Sequence, residues 1–208
     1  MMSKAITPGD DELLRLMTGG DEEAFTALYR RHQANIYRFA LLMSGSPATA
    51  DDVTQEVFMA LMRGADRFDS ARGPLAAFLF GIARNQVLRR RRWEGVCDSL
   101  EEETEDGESP AVRHLIAQDD PLADIVRGEM VGAVRQAVLA LPARYREVVV
   151  LCDFQELSYA EAALALDCAV GTVSSRLNRA RAMLAERLRA LGRVEVNEFS
   201  AVPLKCLV

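Results

Sequence analysis

The sequence predicts an all-α protein, with two small helical domains joined by an acidic flexible linker. Half of its 208 residues are hydrophobic but only 6% are aromatic, a balance that favours helices packed through aliphatic side chains. Apolar residues recur at helical spacing on both sides of residues 94–120, a segment with ten acidic residues and one basic residue. So charged a stretch cannot bury enough apolar surface to offset its ordering entropy. We therefore predict domains at 10–93 and 121–193, a linker at 94–120 and a C-terminal tail at 194–208.

The first domain is predicted to contain four helices, over 10–17, 21–43, 47–68 and 74–93. Gly19-Gly20 and Ser44-Gly45 are expected to end the first two helices, and Pro74 suits the first turn of the fourth. The apolar residues that share a predicted inward face are Leu13, Leu14, Met17, Phe25, Leu28, Tyr29, Ile36, Phe39, Leu42, Val53, Val57, Phe58, Leu61, Met62, Leu75, Phe78, Leu79 and Ile82.

The second domain is predicted to contain a helix-turn-helix. Helices are expected at 121–141 and 143–153, separated at Pro142, with Val148, Val149 and Leu151 buried. Ser158 and Glu161 form a capping-box pattern before a short helix whose small apolar face is Ala162, Ala163 and Leu166. A tight turn at 167–169 then leads into a helix over 170–191. Two short helices joined by such a turn are typical of DNA-binding domains.

The outer face of the last helix carries the predicted DNA contacts. Val173, Leu177, Ala180 and Leu184 recur at helical spacing and are expected to face inward. The outward positions hold hydroxyls, an amide and guanidinium groups but no carboxylate, and these groups pair with phosphates and base edges in the major groove. They are Thr172, Ser174, Ser175, Arg176, Asn178, Arg179 and Arg181.

A second cationic feature is the run from Arg89 to Arg92, close to Arg84 and Asn85 on the predicted 74–93 helix. Four successive residues wrap most of the way around a helix, so the run cannot form one recognition face. Phosphate anchoring is the favoured interpretation. A solubilising helix C-terminus, where arginines complement the helix dipole, remains the alternative.

Composition disfavours several other classes. The net charge of −6 arises in the linker, so it does not argue against DNA binding by the flanking domains. The four cysteines and two histidines lack metal-ligand spacing, and no catalytic constellation is recognisable, so we expect no metal, no cofactor, no small-molecule substrate and no enzymatic activity. No leader or membrane-spanning stretch is apparent, which predicts a cytoplasmic protein with reduced thiols and no membrane insertion.

Three segments resemble the extracytoplasmic-function (ECF) RNA polymerase sigma factors of the sigma-70 family. DDVTQEVFMAL (51–61) resembles sigma region 2.2, and PLAAFLFGIARNQVLRRRR (74–92) resembles regions 2.3 and 2.4. The longest match, to region 4, is LPARYREVVVLCDFQELSYAEAALALDCAVGTVSSRLNRARAML (141–184). The resemblance implies a region 2 helical bundle, a region 4 helix-turn-helix, and a function in promoter-specific transcription initiation.

The resemblance also implies partners and residue roles. Core RNA polymerase would be bound through its β′ clamp helices and β flap, with Asp52, Gln55 and Glu56 on the clamp helices. Asn85 would lie near a flipped base of the −10 element, while Arg84, Arg89 and Arg90 hold the phosphates of that strand. The −35 element would be contacted by Thr172, Ser174, Ser175, Arg176, Asn178 and Arg179. An anti-sigma factor is a further expected partner.

Other hypotheses remain open from the sequence. A sigma-like mimic that titrates an anti-sigma factor is disfavoured by the arginine run, and a dimeric helix-turn-helix regulator would leave the region 2 resemblance unexplained. Ser174 and Asn178 stand where relatives often carry basic or aromatic residues, so the −35 sequence is not predicted. The linker is interpreted as a solvated connector, with self-inhibition of the basic surfaces as the weaker alternative. The tail has no counterpart in the resemblance.

Overall fold

The computed structural model describes the backbone of residues 8–98 and 123–190, and the side chains of residues 8–90 and 131–190. Within these ranges all regular secondary structure is helical, which confirms the all-α prediction. The helices are α1 (Asp10–Thr18), α2 (Glu22–Ser44), α3 (Pro47–Gly64), α4 (Leu75–Asp98), α5 (Ala123–Leu139), α6 (Ala143–Val149), α7 (Tyr159–Leu166) and α8 (Val170–Ala190). A 3₁₀ turn (Ala65–Arg67) follows α3, and a π-helical turn (Val150–Phe154) follows α6.

Local signals set the first helix ends as predicted. The Asp21 carboxylate accepts hydrogen bonds from the backbone N–H groups of Glu23 and Ala24 and so caps the start of α2. Gly45 ends α2 in the left-handed conformation, with φ of 77° and its N–H bonded to the Leu41 carbonyl. Ser46 caps α3, where Pro47 occupies the first turn.

The inward face of the third helix was mostly predicted correctly. Val53, Val57, Phe58 and Leu61 are buried, but Met62, predicted to face inward, is 60% exposed. Because successive helical residues differ by about 100°, the position after buried Leu61 turns toward solvent. The helix was predicted to continue to Phe68. It ends at Gly64 instead, because the chain tightens there into the 3₁₀ turn.

The fourth helix is longer than predicted. It continues past Trp93 to Asp98, so residues 94–98, assigned to the linker, are helical. Leu75 and Leu79 are buried as predicted, whereas Phe78 and Ile82 are half-buried and lie toward the second domain. The linker beyond Asp98 up to Asp120, and the predicted 194–208 tail, lie outside the described residues.

In the second domain, Pro142 separates α5 from α6 as predicted, and the expected 143–153 helix divides into α6 and the π-helical turn. The Ser158 hydroxyl accepts from the Glu161 N–H, and the Glu161 carboxylate accepts from the Ser158 N–H, so the capping box is formed. Asp167 adopts a left-handed conformation (φ 51°, ψ 53°) and turns the chain sharply into α8. The helix-turn-helix prediction therefore matches the structure.

The two halves of the chain pack against each other. One contiguous cluster of buried apolar residues extends from Leu13 in α1 to Leu188 in α8. Across the contact, α4 packs on α7, and α2 touches α5, α6 and the π-helical turn. Arg146, only 6% exposed, donates from Nη1 to the Met43 carbonyl at the end of α2, 2.8 Å away. No helix in the described ranges is long and apolar enough to cross a membrane.

Candidate nucleic-acid and polymerase interfaces

The eighth helix presents the polar face that its sequence predicted. Val173, Leu177, Ala180 and Leu184 are at most 1% exposed, so they anchor the helix on the core. Opposite them, three predicted −35 contacts are exposed, Ser175, Asn178 and Arg179, and three are half-buried, Thr172, Ser174 and Arg176. The first carboxylate in α8 is Glu186, two turns beyond the predicted contacts. A rigid helix with such a face can approach the phosphates of a duplex without charge repulsion.

Arg181 lies beside this face but is held within the domain. Its Nε donates to Asp153 Oδ2 at 3.0 Å and its Nη2 donates to Asp153 Oδ1, so the pair is bidentate. This hydrogen bonding raises the pKa of Arg181. Arg181 therefore fixes α8 against the π-helical turn.

Two residues near Arg179 were not identified from the sequence. The guanidinium carbon of Arg144 lies 4.8 Å from the centroid of the Tyr145 ring, a cation–π contact. A hydrogen bond from Arg179 and the nearby Arg144 lower the pKa of the Tyr145 phenol. No periodicity signal could have found this cluster, because it joins the first turn of α6 to a residue 34 positions away on α8.

The predicted −10 residues lie along one side of α4. Asn85 is exposed, and the side chains of Arg89 and Arg90 are 60% and 29% exposed. Arg84 is only 23% exposed because its Nε donates to Glu147 Oε1 of α6, 2.8 Å away. Arg91 and Arg92 lie outside the described side chains. In this conformation Arg84 is thus engaged by the second domain.

The predicted polymerase contacts and the predicted −10 contacts adjoin each other. Arg90 donates to Asp52 at 2.8 Å, and Glu56 lies 3.5 Å from Arg89 and 3.7 Å from Arg90. Exposed ion pairs of this kind contribute on the order of 0–1 kcal/mol each. The sequence prediction treated the two sets as separate sites, whereas α3 and α4 place them in one network that we call the carboxylate–arginine network.

Gln55, the third predicted polymerase contact, takes no part in the carboxylate–arginine network. It is exposed and lines a shallow groove of about 320 Å³ between α2 and α3, together with Tyr29, Tyr37 and Arg38. Its amide can therefore donate to and accept from a docked partner.

A second groove, of about 370 Å³, lies between the two domains, and we call it the interdomain groove. Its α4 side includes Phe78, Ile82, Arg84 and Asn85, and the α7 side contributes Leu164, Ala165 and Asp167. Aromatic rings, an amide and a guanidinium are groups that stack on bases, pair with base edges and bind phosphate. The predicted −10 surface thus forms one wall of a groove that the second domain completes.

A histidine and a cysteine lie outside the predicted interfaces. His32 Nε2 lies 2.9 Å from Asp10 Oδ2, and no cluster of metal-ligating side chains is present in these ranges. Burial raises the pKa of the Cys152 thiol to about 11, so this thiol is protonated and unreactive at neutral pH.

Two family models match the chain: sigma-70 region 2 over residues 28–95, and sigma-70 region 4 over residues 132–184. The chain is 32% identical over 174 residues to the ECF RNA polymerase sigma factor SigW of Bacillus subtilis, covering 83% of this chain and 92% of SigW. It is 36% identical over 185 residues to the ECF RNA polymerase sigma factor SigM of Mycobacterium tuberculosis, covering 86% and 84% of the two chains.

Two solved structures are also similar to this chain over most of its length. CnrH, in complex with the cytosolic domain of CnrY, matches with a TM-score of 0.65 at 27% identity, covering 88% of this chain and 99% of CnrH. The sigma factor RpoE of Bartonella quintana, in complex with the anti-sigma factor NepR, matches with a TM-score of 0.62 at 29% identity, covering 79% and 96%. With both sigma domains matched in order and relatives aligned over nearly their whole length, the chain belongs to the ECF sigma factors of the sigma-70 family, which direct transcription initiation.

Proposed function

We propose that this sigma factor binds core RNA polymerase through α3, contacts the −35 element as duplex through α8, and captures an unpaired −10 strand on α4. The observation that best supports this proposal is the carboxylate-free polar face of α8. The orientation of this face is fixed by the buried apolar residues on the opposite side of the helix and by the Arg181–Asp153 pair. Bond making would belong to the polymerase, and the chain would act in the cytoplasm without catalytic activity of its own.

The −35 proposal assigns base or phosphate contacts to Thr172, Ser174, Ser175, Arg176, Asn178 and Arg179. We expect Arg176→Ala and Arg179→Ala to weaken promoter binding, since a bidentate arginine–guanine contact is worth roughly 1–3 kcal/mol. The matched control is Arg189→Ala, which removes an exposed arginine from the last turn of the same helix. Run-off transcription and promoter footprinting with purified core polymerase would test the assignment, and full occupancy by both variants would refute it.

The polymerase proposal assigns contacts with the β′ clamp helices to Asp52, Gln55 and Glu56, and contact with the β flap to the second domain. Gln55→Ala is the cleanest test, because Gln55 takes no part in the carboxylate–arginine network. We expect weaker capture of core polymerase by the full chain but unchanged binding to promoter duplex. Full core affinity in Gln55→Ala and in the Gln55→Ala, Glu56→Ala double variant would contradict the assignment.

The −10 proposal assigns base capture to Asn85 and phosphate binding to Arg84, Arg89 and Arg90. Asn85 is exposed at the edge of the interdomain groove, where an extruded base could pair with its amide. Asn85→Ala should reduce open-complex formation while leaving −35 binding intact. Permanganate reactivity of promoter thymines measures that step directly, and an unchanged pattern would exclude this role.

We also propose an anti-sigma factor as a regulatory partner. The support is that RpoE was solved in complex with the anti-sigma factor NepR, and that CnrH was solved in complex with the cytosolic domain of CnrY. The same chain acting only as a mimic, without binding DNA, would be identified by failure of run-off transcription across a promoter library.

A further inference from the structure

The two domains are in direct backbone contact where α4 meets α7. Gly81 has no side chain, and a Cβ placed there would lie 3.5 Å from the Ala165 carbonyl oxygen and 3.8 Å from the Ala165 Cα. Ala165 is itself only 6% exposed. Small residues on both helices therefore let the backbone of the helix-turn-helix pack directly on the predicted −10 helix.

Polar bonds hold the same contact. Glu147 is only 3% exposed, and its carboxylate accepts from Arg84 at 2.8 Å. A carboxylate removed from water in this way depends on its partner, since an unpaired buried charge is strongly unfavourable. Arg146, the neighbouring residue, bonds to the Met43 carbonyl of α2. Two consecutive residues of α6 thus tie the second domain to two helices of the first.

This contact uses groups that the −10 strand would need. While Glu147 accepts from the Nε of Arg84, that donor is withheld from a phosphate and the adjacent carboxylate offsets the positive charge of the guanidinium. The interdomain groove beside Asn85 is walled on one side by Leu164, Ala165 and Asp167, and Asp167 adds a negative charge where a nucleic-acid strand would enter. A strand lying across Asn85 and Arg84 would therefore compete with α7 for the same surface.

We propose that the second domain is a built-in inhibitor of the −10 surface: with α7 docked on α4 and Glu147 paired to Arg84, the chain excludes single-stranded DNA until the domains separate. This inference rests on the proposed role of α4 in −10 capture. It differs from regulation by a partner protein because the inhibiting group, the Glu147 carboxylate, belongs to the same chain. The apparent affinity for the strand is then reduced in proportion to the open fraction.

A disulfide would lock the contact for a direct test. The 3.8 Å separation at Gly81 and Ala165 places their Cα atoms no more than about 5.4 Å apart, within the range that a disulfide spans. Gly81→Cys with Ala165→Cys would be made in the full chain, with Cys97, Cys152, Cys168 and Cys206 replaced by alanine. The alanine background alone is the matched control.

The probe is a fluorescent single-stranded oligonucleotide pool with a randomised −10 hexamer, titrated with oxidised and reduced protein. We expect the disulfide to form readily and to weaken binding at least about tenfold, with recovery on reduction. Failure of the disulfide to form in the folded protein would show that the closed contact is not populated. Equal binding by the oxidised and reduced forms would overturn the inhibition.

A second variant tests the ion pair without a cross-link. Glu147→Gln keeps the shape but removes the charge, and we expect about three- to tenfold tighter oligonucleotide binding as the open fraction rises. Asp153→Asn is the control, because it breaks the Arg181 pair inside the second domain and leaves the interdomain contact intact. Tighter binding in both variants, or in neither, would refute a specific role for Glu147.

The two levels of the proposal fail differently. If the reduced, background and Glu147→Gln proteins all fail to bind the pool, both alone and with core polymerase added to separate the domains, then α4 does not capture the −10 strand, and the proposed function is wrong at that site. If they all bind equally well and the locked protein binds with them, −10 capture stands and the internal inhibition is wrong.

Discussion

Replacing Arg146 with methionine should destabilise the protein by about 3 kcal/mol. The guanidinium is 6% exposed and donates to three carbonyls, those of Met43, Leu139 and Leu141. An orphaned buried acceptor costs roughly 1–3 kcal/mol, and water that enters beside the partly buried Leu139 carbonyl would recover some of that cost. Methionine preserves much of the side-chain volume, so the loss of hydrogen bonding should dominate over any cavity.

Urea unfolding of the full chain, followed by circular dichroism, would measure this change through the shift of the midpoint. Arg144→Met is the matched control, because Arg144 is exposed on the same helix and gives up only its contact with the Tyr145 ring, worth about 0.5–1 kcal/mol. A loss below about 1 kcal/mol for Arg146→Met, or a loss equal to that of the control, would show that the three carbonyls do not depend on the guanidinium.

Three further predictions concern other parts of the fold. Ser158→Ala removes half of the α7 capping box and should lower stability by about 1 kcal/mol in thermal unfolding, whereas an unchanged midpoint would mean that water caps α7 equally well. The hydrogen bond with His32 holds the pKa of Asp10 below its usual 3.8, so this carboxylate stabilises the fold above pH 3.8, and the stabilisation is lost as the pH falls through the folded pKa. The gap in stability between wild type and Asp10→Asn should therefore be full near neutral pH and close below pH 3.8, and a gap that persists in acid would contradict the assignment. Asp52→Asn with Glu56→Gln frees Arg89 and Arg90, so nonspecific binding of single-stranded DNA should tighten and become more salt-dependent; a salt slope equal to that of wild type would count against the carboxylate–arginine network.

Hydrophobic periodicity was sufficient to predict the helical fold and the orientation of the recognition helix. The stripe from Val173 to Leu184 repeats at the helical period, and burial of one face determines which side chains face outward. Glycine, proline and capping residues predicted most helix ends, because each acts within a few residues of its own position. Met62 and the ends of α3 and α4 are the exceptions: an apolar side chain at the margin of the buried face is not distinguished by periodicity, and neither helix end carried the signal that the prediction relied on.

Pairing between distant charged residues was not predictable in this way. Glu147 and Arg84 are 63 positions apart, and Asp52 and Arg90 are 38 apart. Asp52, Arg84 and Arg90 were expected to face outward toward polymerase or DNA, because charge alone does not show which protein surface will cover a side chain. Arg146 is the extreme case: a charged residue in the middle of α6 is expected at the surface, yet three backbone carbonyls keep it inside.

The bond between Arg146 and Met43 also has a consequence for the order in which the chain folds during synthesis. Its two partners are 103 residues apart, so at typical translation rates Met43 leaves the ribosome roughly 5–20 s before the arginine does. Until then the Met43 carbonyl at the end of α2 must be satisfied by water, as at any free helix end. The nascent first domain therefore spends its first seconds with α4 uncovered, and docking of the second domain is the late step that closes the core.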